Sequence, residues 1–127
     1  MQTQQIPLID HVHIRVADLE ASRRFYRAAL AALGRSFSSE SKTHFACEEL
    51  WVDKANTHVS RLHLAFRATD MASVVRFHSI VLEAGGKDNG GPGFRHYHQG
   101  YFAAFVFDPD GNNIEAVFHG TAADMPL

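Results

Sequence analysis

Three residues of this chain have the types and spacing to hold a divalent metal ion: His11, His63 and Glu115. Imidazole nitrogen and carboxylate oxygen are ordinary ligands for zinc, nickel, manganese, iron and cobalt. Two imidazoles and one carboxylate on rigid elements form a facial set that leaves other coordination positions to water or substrate. A closed structural site would more often use four protein ligands, commonly cysteines, and Cys47 is the single cysteine. The chain holds nine histidines, so position has to decide among them. A lone histidine on a strand is more often a hydrogen-bonded residue than a ligand, and His13 is a rival for the role of His11.

The elements that carry these residues come in two copies. Displaced by 52 residues, HVHIRVADLEASRRFYRAALAALG (residues 11–34) meets HLAFRATDMASVVRFHSIVLEAGG (residues 63–86) without a gap. His11 falls on His63, Arg15 on Arg67, Asp18 on Asp70, Phe25 on Phe77 and Gly34 on Gly86. The matched His, Asp and Gly mark a strand, a helix cap and a helix stop, which amphipathicity alone would not align. The repeat also favours His11 over His13, because Ala65 stands opposite His13.

Each copy reads as strand, helix, then more strands. Residues 8–16 alternate, with Val12, Ile14 and Val16 on one face and His11, His13 and Arg15 on the other. Asp18 caps a helix to about Leu33, stopped by Gly34, and short strands follow around Phe37, Thr43–Cys47 and Leu50–Asp53. In the second copy a strand over 61–68 sets His63, Ala65 and Arg67 against Leu62, Leu64 and Phe66. Asp70 caps a helix ended by Gly85-Gly86, and 87–100 reads as a Gly-rich loop. A hairpin over 101–107 and 113–119 then turns at Asp108-Pro109-Asp110-Gly111, with Glu115 and Val117 facing away from Ile114, Ala116 and Phe118. With helices on the apolar faces, His11, His63 and Glu115 all fall on the opposite faces, inside any cup the sheet forms.

Bulk properties narrow the function classes. At 127 residues and 46% hydrophobic, the chain predicts one domain over 6–120, in modules of about 6–54 and 59–120, with 121–127 a frayed tail. The net charge of −2 gives no reason to expect nucleic acid or an anionic membrane. No apolar run suits a spanning helix, and the start MQTQQIPLID lacks a basic, then apolar, leader pattern. The lone cysteine fits a reducing, cytoplasmic setting.

The segments IDHVHIRVADLEASRRFY, LHLAFRATD and FDPDGNNIEAV together resemble the vicinal oxygen chelate superfamily, which includes glyoxalases, extradiol dioxygenases, fosfomycin-resistance enzymes and bleomycin-binding proteins. The resemblance runs from about Ile9 to His119 and is most specific at Asp108–Glu115. It implies an α+β fold of two βαβββ modules forming a cupped mixed sheet with helices on the outer face. It also implies a homodimer, sometimes with modules exchanged, and a divalent metal on His11, His63 and Glu115. Aligning IEAVFH with EELWVD puts Glu49 opposite Glu115 and adds it as a fourth candidate ligand. Glu48 and Glu49 also read as charges protecting a strand edge. The arm Gly93–Tyr101 looks like a small branch of the superfamily and offers His96, Tyr97 and His98, beside Glu115, as candidate catalytic residues.

A metal in this setting can chelate two adjacent substrate oxygens and stabilise negative charge on one of them, which implies a glyoxalase-type lyase or isomerase acting on a small oxygenated molecule. An Fe(II) extradiol dioxygenase uses the same ligand types. A drug- or metabolite-binding resistance protein is a third reading, which the retained ligand set disfavours. Fosfomycin-type transfer would want a clearer cationic cluster than Arg15, Arg67 and Arg95 offer.

Overall fold

The computed structural model describes residues 5–125. Alternation sets the first strand, β1 (Val12–Val16), whose Ile14 and Val16 are fully buried while His13 and Arg15 are exposed. Asp18 accepts a hydrogen bond from the Ala21 amide at 3.1 Å and so starts α1 (Leu19–Ala32). Phe25, Tyr26 and Ala29 form the buried stripe of that helix. Three strands complete the module: β2 (Ser39–Glu40), β3 (His44–Cys47) and β4 (Leu50–Lys54). The second module repeats the plan with β5 (His63–Arg67) and α2 (Met71–Glu83), the latter capped by Asp70. It continues through β6 (Lys87–Asp88), β7 (Gly93–Phe94), β8 (Tyr101–Phe107) and β9 (Asn113–His119).

Each module forms its own open sheet. The order is β1-β4-β3-β2 in one and β5-β9-β8-β6 in the other, with β7 also paired to β8. β1 runs parallel to β4 and β5 parallel to β9, and the remaining pairs are antiparallel. The fold is therefore α+β and mixed, as expected, but within one chain the cup is divided into two sheets. One core spans both: Ile14, Phe45 and Val52 from the first sheet share it with Phe77, Val106 and Ile114 from the second module and with Phe25 and Tyr26 of α1. The opposite face of β5, carrying His63, Ala65 and Arg67, is left exposed.

Three boundaries differ from expectation for local reasons. β1 starts at Val12, not Leu8, because its partner β4 starts at Leu50, opposite Val12. Leu8 (95% exposed) and Ile9 consequently have no strand beside them. The segment 87–100 is not all loop, since β6 and β7 both add to the edge of β8. The tail is not simply frayed, since Ala122–Asp124 forms a 3-10 turn whose Asp124 carboxylate accepts from the Thr121 amide at 2.7 Å. Residues 126 and 127 of the expected tail lie outside the described residues.

The Asp-Pro-Asp-Gly-Asn turn does more than reverse the chain. Asp108 is 4% exposed and accepts from the Asn112 amide (2.8 Å), the Asn112 side chain (3.0 Å) and the Asp110 amide (2.9 Å). The Tyr26 hydroxyl donates to it at 2.6 Å, and the Ala17 amide donates to Asp110. The turn that starts β9 is thus tied to the first module, fixing where Glu115 begins its course. Tyr26→Phe removes a buried hydrogen bond to a charged group and should cost about 2 kcal/mol in urea unfolding. Burial, and then Asp108, push the Tyr26 phenol well above the ordinary tyrosine value of 10.0. The folded chain therefore holds this proton at pH values where the unfolded chain releases it, and stability falls as pH rises past that value. Tyr26→Phe should flatten this alkaline decline, as urea midpoints measured across the range would show.

Candidate functional site

The parity of β5, β8 and β9 puts His63, Tyr101, Phe105 and Glu115 on one face of the second sheet. Glu115 lies opposite Ala65 on one side and Phe105 on the other. It is 1% exposed. His63 Nε2 stands 2.8 Å from Oε1 of Glu115, and the Tyr101 hydroxyl donates to Oε2. Ala103, Phe105 and Val117 form a small buried cluster on this face, with Tyr101 packed against it. These apolar walls explain the burial of the carboxylate.

A buried carboxylate ordinarily needs a cationic partner. Among the described residues no Lys or Arg pairs with Glu115, and the imidazole of His63, half exposed, is its sole ion-pair candidate. Tyr101 stays a donor over a wide range, because burial, and then Glu115, push its phenol to about 12, with Arg95 opposing them. Tyr101 is the residue that sequence reasoning missed. Its signal was the period of two that puts it on the face of Phe105, in a hairpin whose other strand carries Glu115.

The arm that precedes β8 gathers around Tyr101. Tyr97, 69% exposed, meets its ring edge-on at 5.0 Å. His98 does so at 5.2 Å and stacks on His119, with its Nε2 3.1 Å from His119 Nδ1. His96 is exposed on the same arm. The arm ends at Gly100, whose carbonyl accepts from the Gly120 amide at 2.7 Å. A Cβ at Gly100, which has φ +84°, would lie 2.2 Å from the Gly120 oxygen, so glycine is required for this close approach.

The other candidates sit on the first sheet. His11, just before β1, is exposed and has its Nδ1 2.7 Å from Asp10 Oδ1. His13 Nε2 is engaged by Asp53 at 2.8 Å. A recess on this sheet is lined by His11, His13, Glu48, Glu49, Leu50 and Trp51. Glu49 is exposed in the β3–β4 turn and is not the strand counterpart of Glu115. Ala65 faces Glu115 in one module, and His13, its repeat equivalent, faces Trp51 in the other. Trp51 therefore occupies the corresponding place. A two-residue shift preserves which face a side chain points to, so alternation could not distinguish the two.

His63 and Glu115 are thus brought together, while His11 and Glu49 stand on the other sheet. Among the described residues of the single chain, no group of three or more His, Cys, Asp or Glu side chains is placed to hold a metal ion. The same residues include no helix long and apolar enough to cross a membrane.

Comparison with known proteins identifies the family. The family model described as Glyoxalase/Bleomycin resistance protein/Dioxygenase superfamily matches residues 8–116. A glyoxalase/bleomycin resistance protein from Albidiferax ferrireducens T118 superposes with a TM-score of 0.76 at 28% identity, covering 88% of this chain and 99% of that one. A lactoylglutathione lyase from Agrobacterium tumefaciens gives 0.62 at 19% identity, covering 91% and 96%. The oxidase ChaP-H2 gives 0.62 at 21% identity, covering 96% and 98%. Comparison with curated proteins gives no match. With its two repeated modules and a family match over most of its length, the chain belongs to the glyoxalase/bleomycin resistance protein/dioxygenase superfamily.

Proposed function

We propose that this protein is a metal-dependent lyase or isomerase of the glyoxalase type, with His11 of one copy completing a site formed by His63 and Glu115 of a second copy. The contact between His63 Nε2 and Glu115 Oε1 carries this reading. Its 2.8 Å separation is close to the roughly 3 Å expected between two ligands of one tetrahedral or octahedral ion. A divalent cation there would also supply the charge that the buried carboxylate lacks. The donor set of imidazole nitrogen and carboxylate oxygen suits zinc, nickel, manganese, iron or cobalt.

A dimer accounts for the separated half-sites. Among the described residues the Nε2 of His11 has no hydrogen-bond partner, and Leu8, Ile9 and Trp51 near it are exposed apolar residues. Exposed apolar surface of this kind is typical of a contact between copies. Trp51 stands where a fourth ligand would project, so three protein ligands leave positions for substrate, and Glu49 stays at the mouth of the recess.

When bound, the metal supplies Lewis acidity to a substrate held through two adjacent oxygens. The chain does the rest. Tyr101 holds Oε2 of Glu115 and orients the carboxylate. Phe105 and Val117 keep water from its inner side. His98, sharing a hydrogen bond with His119 at the rim, is the group placed to move a proton between the site and solvent. Tyr97 and His96 are placed on the arm to cover bound substrate.

Tyr101→Phe should weaken metal binding by about 10- to 100-fold, the usual effect of removing an outer-shell partner, without unfolding the protein. Competition with a chelator would measure it. The reaction class is tested by loading the protein with Fe(II) anaerobically, adding a catechol and then oxygen. No oxygen uptake, together with lyase or isomerase turnover of a small hydroxycarbonyl compound by zinc- or nickel-loaded protein, is the expected result. Oxygen uptake would instead favour extradiol cleavage, the second reading, which the two-His, one-carboxylate set supports.

A further inference from the structure

Arg95 is a cation fixed at the edge of this face with no acidic partner among the described residues. Its backbone amide donates to the Tyr101 carbonyl at 2.8 Å, which ties it to the start of β8. Its Nη2 donates to the Gly91 carbonyl at 2.7 Å. Its guanidinium carbon lies 5.2 Å from the centre of the Phe105 ring. Two glycines leave the space it occupies. A Cβ at Gly93 would come within 3.1 Å of Nη1, and one at Gly90 within 3.3 Å of Nη2. The guanidinium is therefore seated by a carbonyl, an aromatic face and two gaps in the side-chain surface. Such a seat holds a cation in place without neutralising it.

Phe105 links this cation to the candidate metal ligands. It is the cross-strand neighbour of Glu115, and its ring centre is 6.1 Å from that of His63. His63 and Arg95 thus both stand within contact range of one aromatic ring. A molecule chelated beside His63 and Glu115 and extending past the edge of Phe105 would meet Arg95.

We infer that Arg95 is an anion-binding subsite, and that the substrate is a small oxygenated carboxylic acid whose carboxylate lies on Arg95 while its vicinal oxygens face the metal. The inference rests on the metal site proposed above. A carboxylate fits better than a phosphate, because one guanidinium with Nη2 already engaged matches a single negative charge, and among the described residues no second cation is seen to join it. The buried charge of Glu115 makes the requirement sharper, since an anionic substrate needs a fixed cation away from that carboxylate.

The test compares two catechols of the same shape, 3,4-dihydroxybenzoate and its neutral amide, 3,4-dihydroxybenzamide. Both are titrated calorimetrically into zinc-loaded protein, where no redox chemistry intervenes. The acid should bind about tenfold more tightly than the amide, as a charge-assisted hydrogen bond to arginine allows. Arg95→Met, which keeps the stem over Phe105, should bring the two to within about twofold while zinc content stays unchanged. Equal binding of acid and amide by the unaltered protein overturns the inference and leaves the metal site standing. An acid preference that survives in Arg95→Met also overturns it. Protein that takes up no zinc and binds neither catechol overturns the metal site and the subsite together.

Discussion

Glu115→Gln should abolish stoichiometric metal binding while leaving the fold intact. Glutamine keeps the size of glutamate and can still accept from Tyr101, so Ala103, Phe105 and Val117 remain packed. It loses the negative charge that the carboxylate offers a cation. Outer-shell changes around a metal typically cost 10- to 100-fold in affinity, so loss of a ligand should exceed about 100-fold. Stability responds differently. Replacing a buried charge that lacks a strong partner by a neutral isostere is often neutral or stabilising. A melting temperature equal to or above that of the parent, with metal lost, separates a ligand role from a packing role. If Glu115→Gln retains metal at the parent's affinity, Glu115 is no ligand.

The second large effect is complementation between two defective chains. His11→Ala damages the half-site on the first sheet, and Glu115→Ala damages the half-site on the second. Each variant alone should hold essentially no metal. A dimer of one with the other pairs the intact His63 and Glu115 of the first chain with the intact His11 of the second. Random remixing of equal amounts should therefore restore about one site in four, with matching activity, because a two-fold interface builds two sites from each pair of chains. Elemental analysis of the remixed dimer peak reads this directly. No recovery, from variants that each still dimerise, would place all the ligands within one chain.

Much of this arrangement was legible in the residues. The gapless overlay of HVHIRVAD on HLAFRATD fixed the two modules, the Asp18 and Asp70 caps and the equivalence of His11 and His63. Alternation assigned His63 and Glu115 to one face, where they meet at 2.8 Å. Alternation says which face a side chain takes and nothing about how two sheets associate, so it could not reveal that His11 would stand on a separate sheet. Glu49 was misaligned with Glu115 for a related reason: like residues were matched across a shift that conserves face but changes position, and Trp51 takes that place. Tyr101 escaped, and Arg95 was read only as one member of a weak cationic set, because their surroundings depend on tertiary contacts. Tyr101 reaches Glu115 across the hairpin, and Arg95 owes its seat to the space left by Gly90 and Gly93.

The central claim is a metal held by His11, His63 and Glu115, and metal content tests it most directly. Protein purified without an affinity tag, dialysed and analysed for transition metals, should contain about one divalent ion per chain. His63→Ala should lose that ion while keeping its secondary structure and its dimeric mass. A folded, unaltered protein that neither contains a transition metal nor takes one up on reconstitution with zinc, nickel, manganese, iron or cobalt would contradict the account.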